Sequence, residues 1–174
     1  WLWSRERVEE ARQAGELEFV RSRDGSLTVH SKQYLKNADG SQRTQKMFSI
    51  IDNVFSQHGT NEIIDIFGNA KVFSFPKPTG LFPNLLHSAD VKSDDIVLDF
   101  FAGSGSTGHA VMLHNAQDGG RRRYILVQLP EPLDASETEH QDAVALCEEL
   151  GKPANIAELT KERLRRSGAK VRND

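Results

Sequence analysis

The sequence predicts an α/β fold built on a parallel sheet, and three observations carry that reading. Residues 96–101 form an apolar run broken only by Asp99, with a glycine-rich turn and a helical pattern after it. Residues 124–129 form a second apolar run, which starts after Asp118-Gly-Gly120 has closed that helix. A strand, a helix and a strand in this order make a crossover unit, so the two strands are expected side by side and parallel. Consecutive rather than alternating apolar positions suit a sheet with helices on both faces.

The other elements follow along the chain. Ser4 can cap a helix over residues 5–14, with Glu6 suited to its first turn and Gly15 to its end. Trp1, Leu2 and Trp3 are expected to anchor this helix to a core. Residues 17–21 and 27–30 flank Asp24-Gly25, which signals a hairpin. Residues 36–44 are polar around Asp39-Gly40 and read as an exposed loop, and residues 47–55 are mixed apolar. After His58-Gly59-Thr60-Asn61-Glu62 a short helix carries Ile63, Ile64, Ile66 and Phe67 and ends at Gly68. Pro76-Lys77-Pro78 interrupts regular structure, and Pro78 is placed to open a helix bearing Leu81, Leu85 and Leu86. The crossover helix is expected over residues 106–114. Two more helices read over residues 136–150 and 155–166, the last with Ile156, Leu159 and Leu164 on one face.

Length and composition bound the function. The 174 residues suit one domain, and 37% hydrophobic residues suffice for one sheet core. A formal charge of −3 excludes a uniformly basic nucleic-acid module. The basic triplet Arg121-Arg122-Arg123 reads first as a solvated edge. Cys147 is the single cysteine, so an internal disulfide and a cysteine-based zinc cluster are both excluded. It reads as a small apolar residue in a helix. His109 and His114 lack a metal-ligand pattern and read as helix-surface or helix-end residues, and no metal site is expected. No apolar stretch approaches the length needed to cross a membrane and no secretory signal is evident, so the cytoplasm is the expected setting. The sequence starts at Trp1 rather than methionine, which a fragment, processing or an expression boundary would each produce.

The turn at Gly103-x-Gly105-x-x-Gly108 brings a ligand close to backbone and helix N-terminal N–H groups. Asp99 at the strand end would oppose a pyrophosphate but suits an ammonium or a sulfonium. The combination points to S-adenosylmethionine, with NAD the first competitor. A nucleotide-hydrolase loop is disfavoured because no Lys-Ser/Thr follows the glycines. Glu131, just past the second strand, can accept hydrogen bonds from both ribose hydroxyls. Phe100 and Phe101 offer apolar surface near an adenine, although at least one of them is expected in the sheet core. Lys77, restrained between two prolines, can face the cofactor carboxylate or solvent.

Several segments together resemble the C-terminal half of a type III restriction-modification methylation subunit, of the DNA adenine-N6 amino-methyltransferases. They are Trp1-Leu-Trp-Ser4, Gly59-Thr-Asn-Glu62, Phe75-Pro-Lys-Pro78 with Leu81, and Asp99-Phe-Phe-Ala-Gly-Ser-Gly-Ser-Thr-Gly-His-Ala-Val111. Asn115-Ala-Gln-Asp-Gly-Gly120, Arg122-Arg-Tyr-Ile-Leu-Val-Gln-Leu-Pro-Glu131 and the Arg163-containing terminal helix continue the resemblance. It implies a partial, Rossmann-like S-adenosylmethionine-dependent methyltransferase sheet. It also implies cofactor binding by Lys77, Pro78, Asp99, Phe100, Phe101, Ala102, Gly103, Ser104, Gly105 and Glu131. Residues 1–70 would border the target-recognition region, and residues 71–174 would form the cofactor-binding part.

The family's methyl-transfer centre is Asp-Pro-Pro-Tyr or a close variant, and no such tetrapeptide occurs here. The resemblance therefore implies that this chain lacks the strand bearing the catalytic motif and supplies no catalytic residue itself. A complete parent would bind duplex DNA, a second methylation subunit and a restriction subunit. The competing readings are an NAD-dependent oxidoreductase and a noncatalytic DNA-binding or assembly module.

Overall fold

A computed structural model describes residues 3–36, 39–41, 47 and 50–173. Trp1, Leu2, and parts of the loop at 36–44 and of the segment at 47–55 lie outside the described residues. The chain divides into two compact units, Trp1–Lys46 and Met47–Asp174.

The first unit is a helix and a hairpin. Helix α1 spans Arg5–Gln13, and Ser4 Oγ accepts the Arg7 N–H at 3.2 Å, so the predicted cap forms. The chain leaves the helix through Gly15 at φ +68°, a conformation that costs other residues strain. Arg7 stacks over the Trp3 ring at 5.1 Å. Strands β1 (Leu17–Arg21) and β2 (Leu27–Ser31) pair antiparallel with Phe19 opposite Val29. Asp24 closes the turn by accepting the Ser26 N–H at 3.0 Å and hydroxyl at 2.7 Å, and Gly25 takes φ +84°.

The second unit carries the crossover. It starts with α2 (Ser56–Phe67), longer than the sequence predicts, which ends on the left-handed Gly68. Pro78 caps a 3-10 turn at Thr79–Leu81, and α3 (Phe82–Ser88) starts only after it. Strand β3 (Ile96–Asp99) lies parallel to β4 (Arg123–Leu126), with α4 (Ser106–Asp118) between them in sequence. Helices α5 (Gln141–Glu149) and α6 (Ile156–Asn173) complete the unit. Ile63, Val72, Phe73, Ala143, Cys147 and Leu159 form its core cluster, so Cys147 is the small core residue expected. The compact division puts α2 with the glycine turn rather than with the hairpin.

Three expectations need correction. The sheet is not covered on both faces: burial alternates along β3 and β4, and only the Val97, Asp99, Tyr124 and Leu126 side is sheltered. Helix α4 packs there, close enough for a side chain on Gly108 to reach Leu126 and Tyr124. Ile96, Leu98 and Ile125 face the other way and are about half exposed, as no described element covers them. Among the described residues the fold is therefore a mixed α/β arrangement of helices and two small sheets. Secondly, the strands stop at Asp99 and Leu126, short of the expected ends, and at the β3 end Asp99 Oδ1 takes the Phe101 N–H at 2.9 Å and turns the chain. Thirdly, α5 starts five residues later than predicted, at Gln141. Asp134 there accepts the Ser136 N–H at 2.8 Å and hydroxyl at 2.7 Å, and this local turn displaces the first helical turn.

Two basic and imidazole sites also differ from the expectation. Arg122 is not a solvated edge residue; its guanidinium is clamped by Asp118 at 2.8 and 3.0 Å. That pairing, with the Gly120 N–H, holds the Asp118 carboxyl down at about 2. His109 is not on the helix surface but 8% exposed, between the α4 and α6 side of the core. Burial, then the Arg163 and Lys170 charges, holds its pKa down at about 4 from an ordinary 6.5, against a smaller opposing effect of Asp65. The unfolded chain therefore binds more protons than the folded one between these two values. Stability is full above 6.5, falls as the pH drops, and levels off near 4 as far as this group is concerned. Urea unfolding at pH 5.0 is expected to show about 2 kcal/mol less stability than at pH 7.5 from His109. A His109→Gln variant that loses the same amount would show that the acid sensitivity arises elsewhere.

Candidate functional site

Residues 99–105 leave the end of β3 and enter α4 as a tight loop. Asp99 anchors it from both carboxylate oxygens, through the Phe101 N–H and the Thr107 hydroxyl. Gly103 adopts φ +51°, donates its N–H to Gln128 Oε1 at 2.7 Å, and accepts from the Thr160 hydroxyl of α6. The glycines serve different ends. A Cβ on Gly103 would meet nothing closer than 3.8 Å, so the backbone there stays approachable. A Cβ on Gly105 would come within 3.1 Å of Thr160, and one on Gly108 within 2.7 Å of Leu164. Those two allow α6 to pack against the loop rather than a ligand to approach it.

The loop forms one wall of a cavity of about 350 Å³. Lys77, Asp99, Phe101, Ala102, Gly103 and Ser104 all line it, so the structure brings six predicted site residues together across two distant segments. Phe73, Leu133, Ile156 and Leu159 supply an apolar side, with Glu139 and His140 at its polar edge. A second cavity of about 570 Å³ shares the wall at residues 73–77 and adds Ser56, Gln57 and Thr60 of α2. On that shared wall Phe75 takes φ +54° with its ring 90% exposed, a strained backbone of the kind that gathers at ligand sites.

Four predicted residues do not line the cavity. Pro78 is buried beside α2. Gly105 packs under α6. Phe100 lies just past the end of β3, where the chain turns, and is 64% exposed. With Phe101 at 91%, neither phenylalanine sits in the sheet core, contrary to expectation. Glu131 is exposed, and its carbonyl accepts the N–H of the cavity-lining Ile156 at 3.2 Å.

Residues without an assigned role in the sequence hold the walls together. Gly59 of α2 lies so close to the Pro76-Lys77-Pro78 loop that a Cβ would stand 2.2 Å from the Pro76 carbonyl oxygen. Glu62, one turn on, accepts the Thr79 N–H and hydroxyl, both at 2.8 Å. Arg163 of α6 is fully buried and pairs with Glu62 at 2.9 Å. A glycine within a helical pattern is the sequence signal for the first. Glu62 and Arg163 fall in segments that carry the family resemblance, but nothing in the sequence pairs two residues 101 positions apart. Among the described residues, no group of three or more His, Cys, Asp and Glu could hold a metal ion, and no helix is long and apolar enough to cross a membrane.

Comparison with known proteins decides the family. Residues 3–131 match a sequence profile described as DNA methylase. The chain belongs to the DNA methylase family. The match spans the α2 segment, the Pro76-Lys77-Pro78 loop, the glycine turn and both parallel strands, and stops at Glu131.

Curated relatives of this DNA methylase chain agree. It is 41% identical over 122 residues to the type III restriction-modification enzyme StyLTI Mod subunit of Salmonella typhimurium, covering 70% of this chain and 17% of that protein. It is 35% identical over 135 residues to the type II methyltransferase M.KpnI of Klebsiella pneumoniae, covering 76% and 30%. The EcoPI Mod subunit of Escherichia phage P1 is 31% identical over 166 residues, covering 94% and 23%. The chain thus spans less than a third of the length of each of these relatives.

Proposed function

We propose that this chain is the cofactor-binding part of a site-specific methyltransferase that acts on adenine N6 in duplex DNA, with S-adenosylmethionine as methyl donor. The cavity that joins Asp99 and the glycine turn to Lys77 carries the reading. Its donor set suits that cofactor. The Lys77 ammonium has no ion-pair partner among the described residues, so it is available to a carboxylate. Asp99 suits a positive charge, and the Phe101, Leu133 and Ile156 side suits a purine. The open backbone at Gly103 lets a ligand lie against the turn.

When bound, the cofactor supplies a methyl group made electrophilic by its sulfonium. This chain's part is to bind and orient. Lys77 would hold the amino-acid carboxylate, the residues 99–104 would seat the donor against the helix start, and Glu131 would hold the ribose. Pro78, Phe100 and Gly105 would support these contacts from behind, in a partial Rossmann-like sheet that the missing strands complete. Residues 71–174 make up the cofactor-binding part in this reading, and residues 1–70 border the region that recognises the target. The names of the curated relatives support a type III Mod-like parent. Such a parent would act in the cytoplasm on duplex DNA, with a second methylation subunit and a restriction subunit.

Calorimetric titration with S-adenosylmethionine, S-adenosylhomocysteine and NAD tests the assignment. Binding of the first two and not the third is expected, and NAD binding alone would sink it. In a folded Glu131→Ala variant, affinity for S-adenosylhomocysteine should drop by about 1–3 kcal/mol if the ribose hydrogen bonds become buried on binding. Unchanged affinity there removes Glu131 from the site.

A further inference from the structure

We propose that Glu62 and Arg163 are a positioning pair that sets the Pro76-Lys77-Pro78 loop against the glycine turn and thereby sets the affinity of the cavity for its cofactor. The inference rests on the cofactor reading above. Neither side chain lines the cavity, yet the two connect its walls. Arg163 Nη2 donates to Glu62 Oε2 at 2.9 Å. Its Nη1 donates to Ser104 Oγ at 2.8 Å, Ser106 Oγ at 2.9 Å and the Ser104 carbonyl at 3.3 Å. Ser106 Oγ, having accepted from Arg163, donates to the Lys77 carbonyl at 2.5 Å. Glu62 Oε1 takes both donors of Thr79, the residue that follows Pro78.

The physical argument is one of cost and direction. Burying a guanidinium whole is expensive, and an apolar pair would pack α2 on α6 more cheaply. What an apolar pair cannot do is fix direction. The planar guanidinium reaches Glu62 with one nitrogen and the serines of the turn with another, so a shift of either loop breaks a charge-assisted bond. The Lys77 carbonyl and the Ser104 backbone are thereby held at one separation before any ligand arrives. Such preorganisation raises affinity by lowering the ordering cost of binding.

Three variants of the 174-residue chain test the pair. Arg163→Lys keeps a charge for Glu62 but loses the fork that also reaches the serines. Glu62→Gln keeps an acceptor for Thr79 but loses the charge that orients Arg163. Arg166→Lys is the matched control. Arg166 also ties α6 to α2, donating to the Ile66 carbonyl at 3.5 Å and lying over the Phe67 ring at 5.0 Å; its pair with Glu162 at 2.7 Å stays within α6, and no hydrogen bond joins it to either loop. Each variant is measured for melting temperature, for S-adenosylhomocysteine affinity and for the ligand-free amide resonances of Lys77, Gly103 and Gly105. Arg163→Lys and Glu62→Gln are expected to weaken binding at least tenfold and to shift those resonances. Arg166→Lys is expected to lower the melting temperature while changing affinity less than twofold and leaving the resonances in place. The proposal is overturned if folded Glu62→Gln keeps wild-type resonances, or if all three variants lose affinity in proportion to lost stability. A wild-type chain that binds no S-adenosylhomocysteine defeats the cofactor reading, and with it the affinity half of this inference. The resonances then decide the positioning half alone. Should Arg163→Lys fail to fold, Glu62→Gln carries the decision.

Discussion

Gly59→Ala is expected to destabilise the second unit by about 3 kcal/mol and to displace the Pro76-Lys77-Pro78 loop. The added Cβ would stand 2.2 Å from the Pro76 carbonyl oxygen and 3.0 Å from the Pro76 carbonyl carbon and the Pro78 nitrogen. All three are backbone atoms, and the two prolines fix their own φ, so no side chain can swing aside. Replacing a helix-interior glycine by alanine would by itself stabilise α2 by about 1 kcal/mol. The clash outweighs that gain because the helix or the loop must move by a large fraction of a bond length. Lys77 moves with the loop, so on the proposed cofactor reading affinity is expected to fall along with stability. Urea unfolding and calorimetry on the variant check both effects. A Gly59→Ala chain that is more stable than wild type, with unaltered affinity, would show that the two segments do not approach this closely.

The purified 174 residues are expected to transfer no methyl group to DNA. Adenine N6 is a poor nucleophile because its lone pair is delocalised into the ring. An Asp-Pro-Pro-Tyr segment holds the amino group with carboxylate and carbonyl acceptors and stacks the flipped base, and this sequence has none. On the proposed reading, a cavity that would seat the methyl donor without holding the acceptor gives up the alignment that accounts for much of such catalysis, about 7–11 kcal/mol in favourable cases. Nor does a described element cover Ile96, Leu98 and Ile125 on the outer face of the sheet. The assay is labelled-methyl transfer to mixed-sequence DNA, with a full-length type III Mod subunit on its own target as positive control. Turnover by the purified chain would overturn the expectation.

The sequence by itself determined the local structure and the family. Ser4, Gly15, Gly68 and Gly119 end or start helices where their chemistry requires, and Asp24-Gly25 turns the hairpin, because caps and turns depend on neighbours a few positions away. The β3–α4–β4 crossover was legible for the same reason: one glycine turn lies between one apolar run and one helix. Its motif placed Asp99 and residues 102–104 at the strand end, and the tertiary structure puts them on a cavity wall. Only the tertiary structure decided what faces what. Phe100 and Phe101 read as partly core, but a two-stranded sheet with one covered face leaves both exposed. His109 read as a surface residue, but α6 folds back over its helix and buries it. Gly105 read as a ligand glycine, yet a Cβ there would meet Thr160 and Leu164 of α6. Glu62 and Arg163 had no periodicity or spacing to connect them, since an ion pair across 101 positions exists only once two helices have docked. Propensities and turn chemistry are local and can be read along a chain. Burial and electrostatic pairing depend on the distances that folding creates.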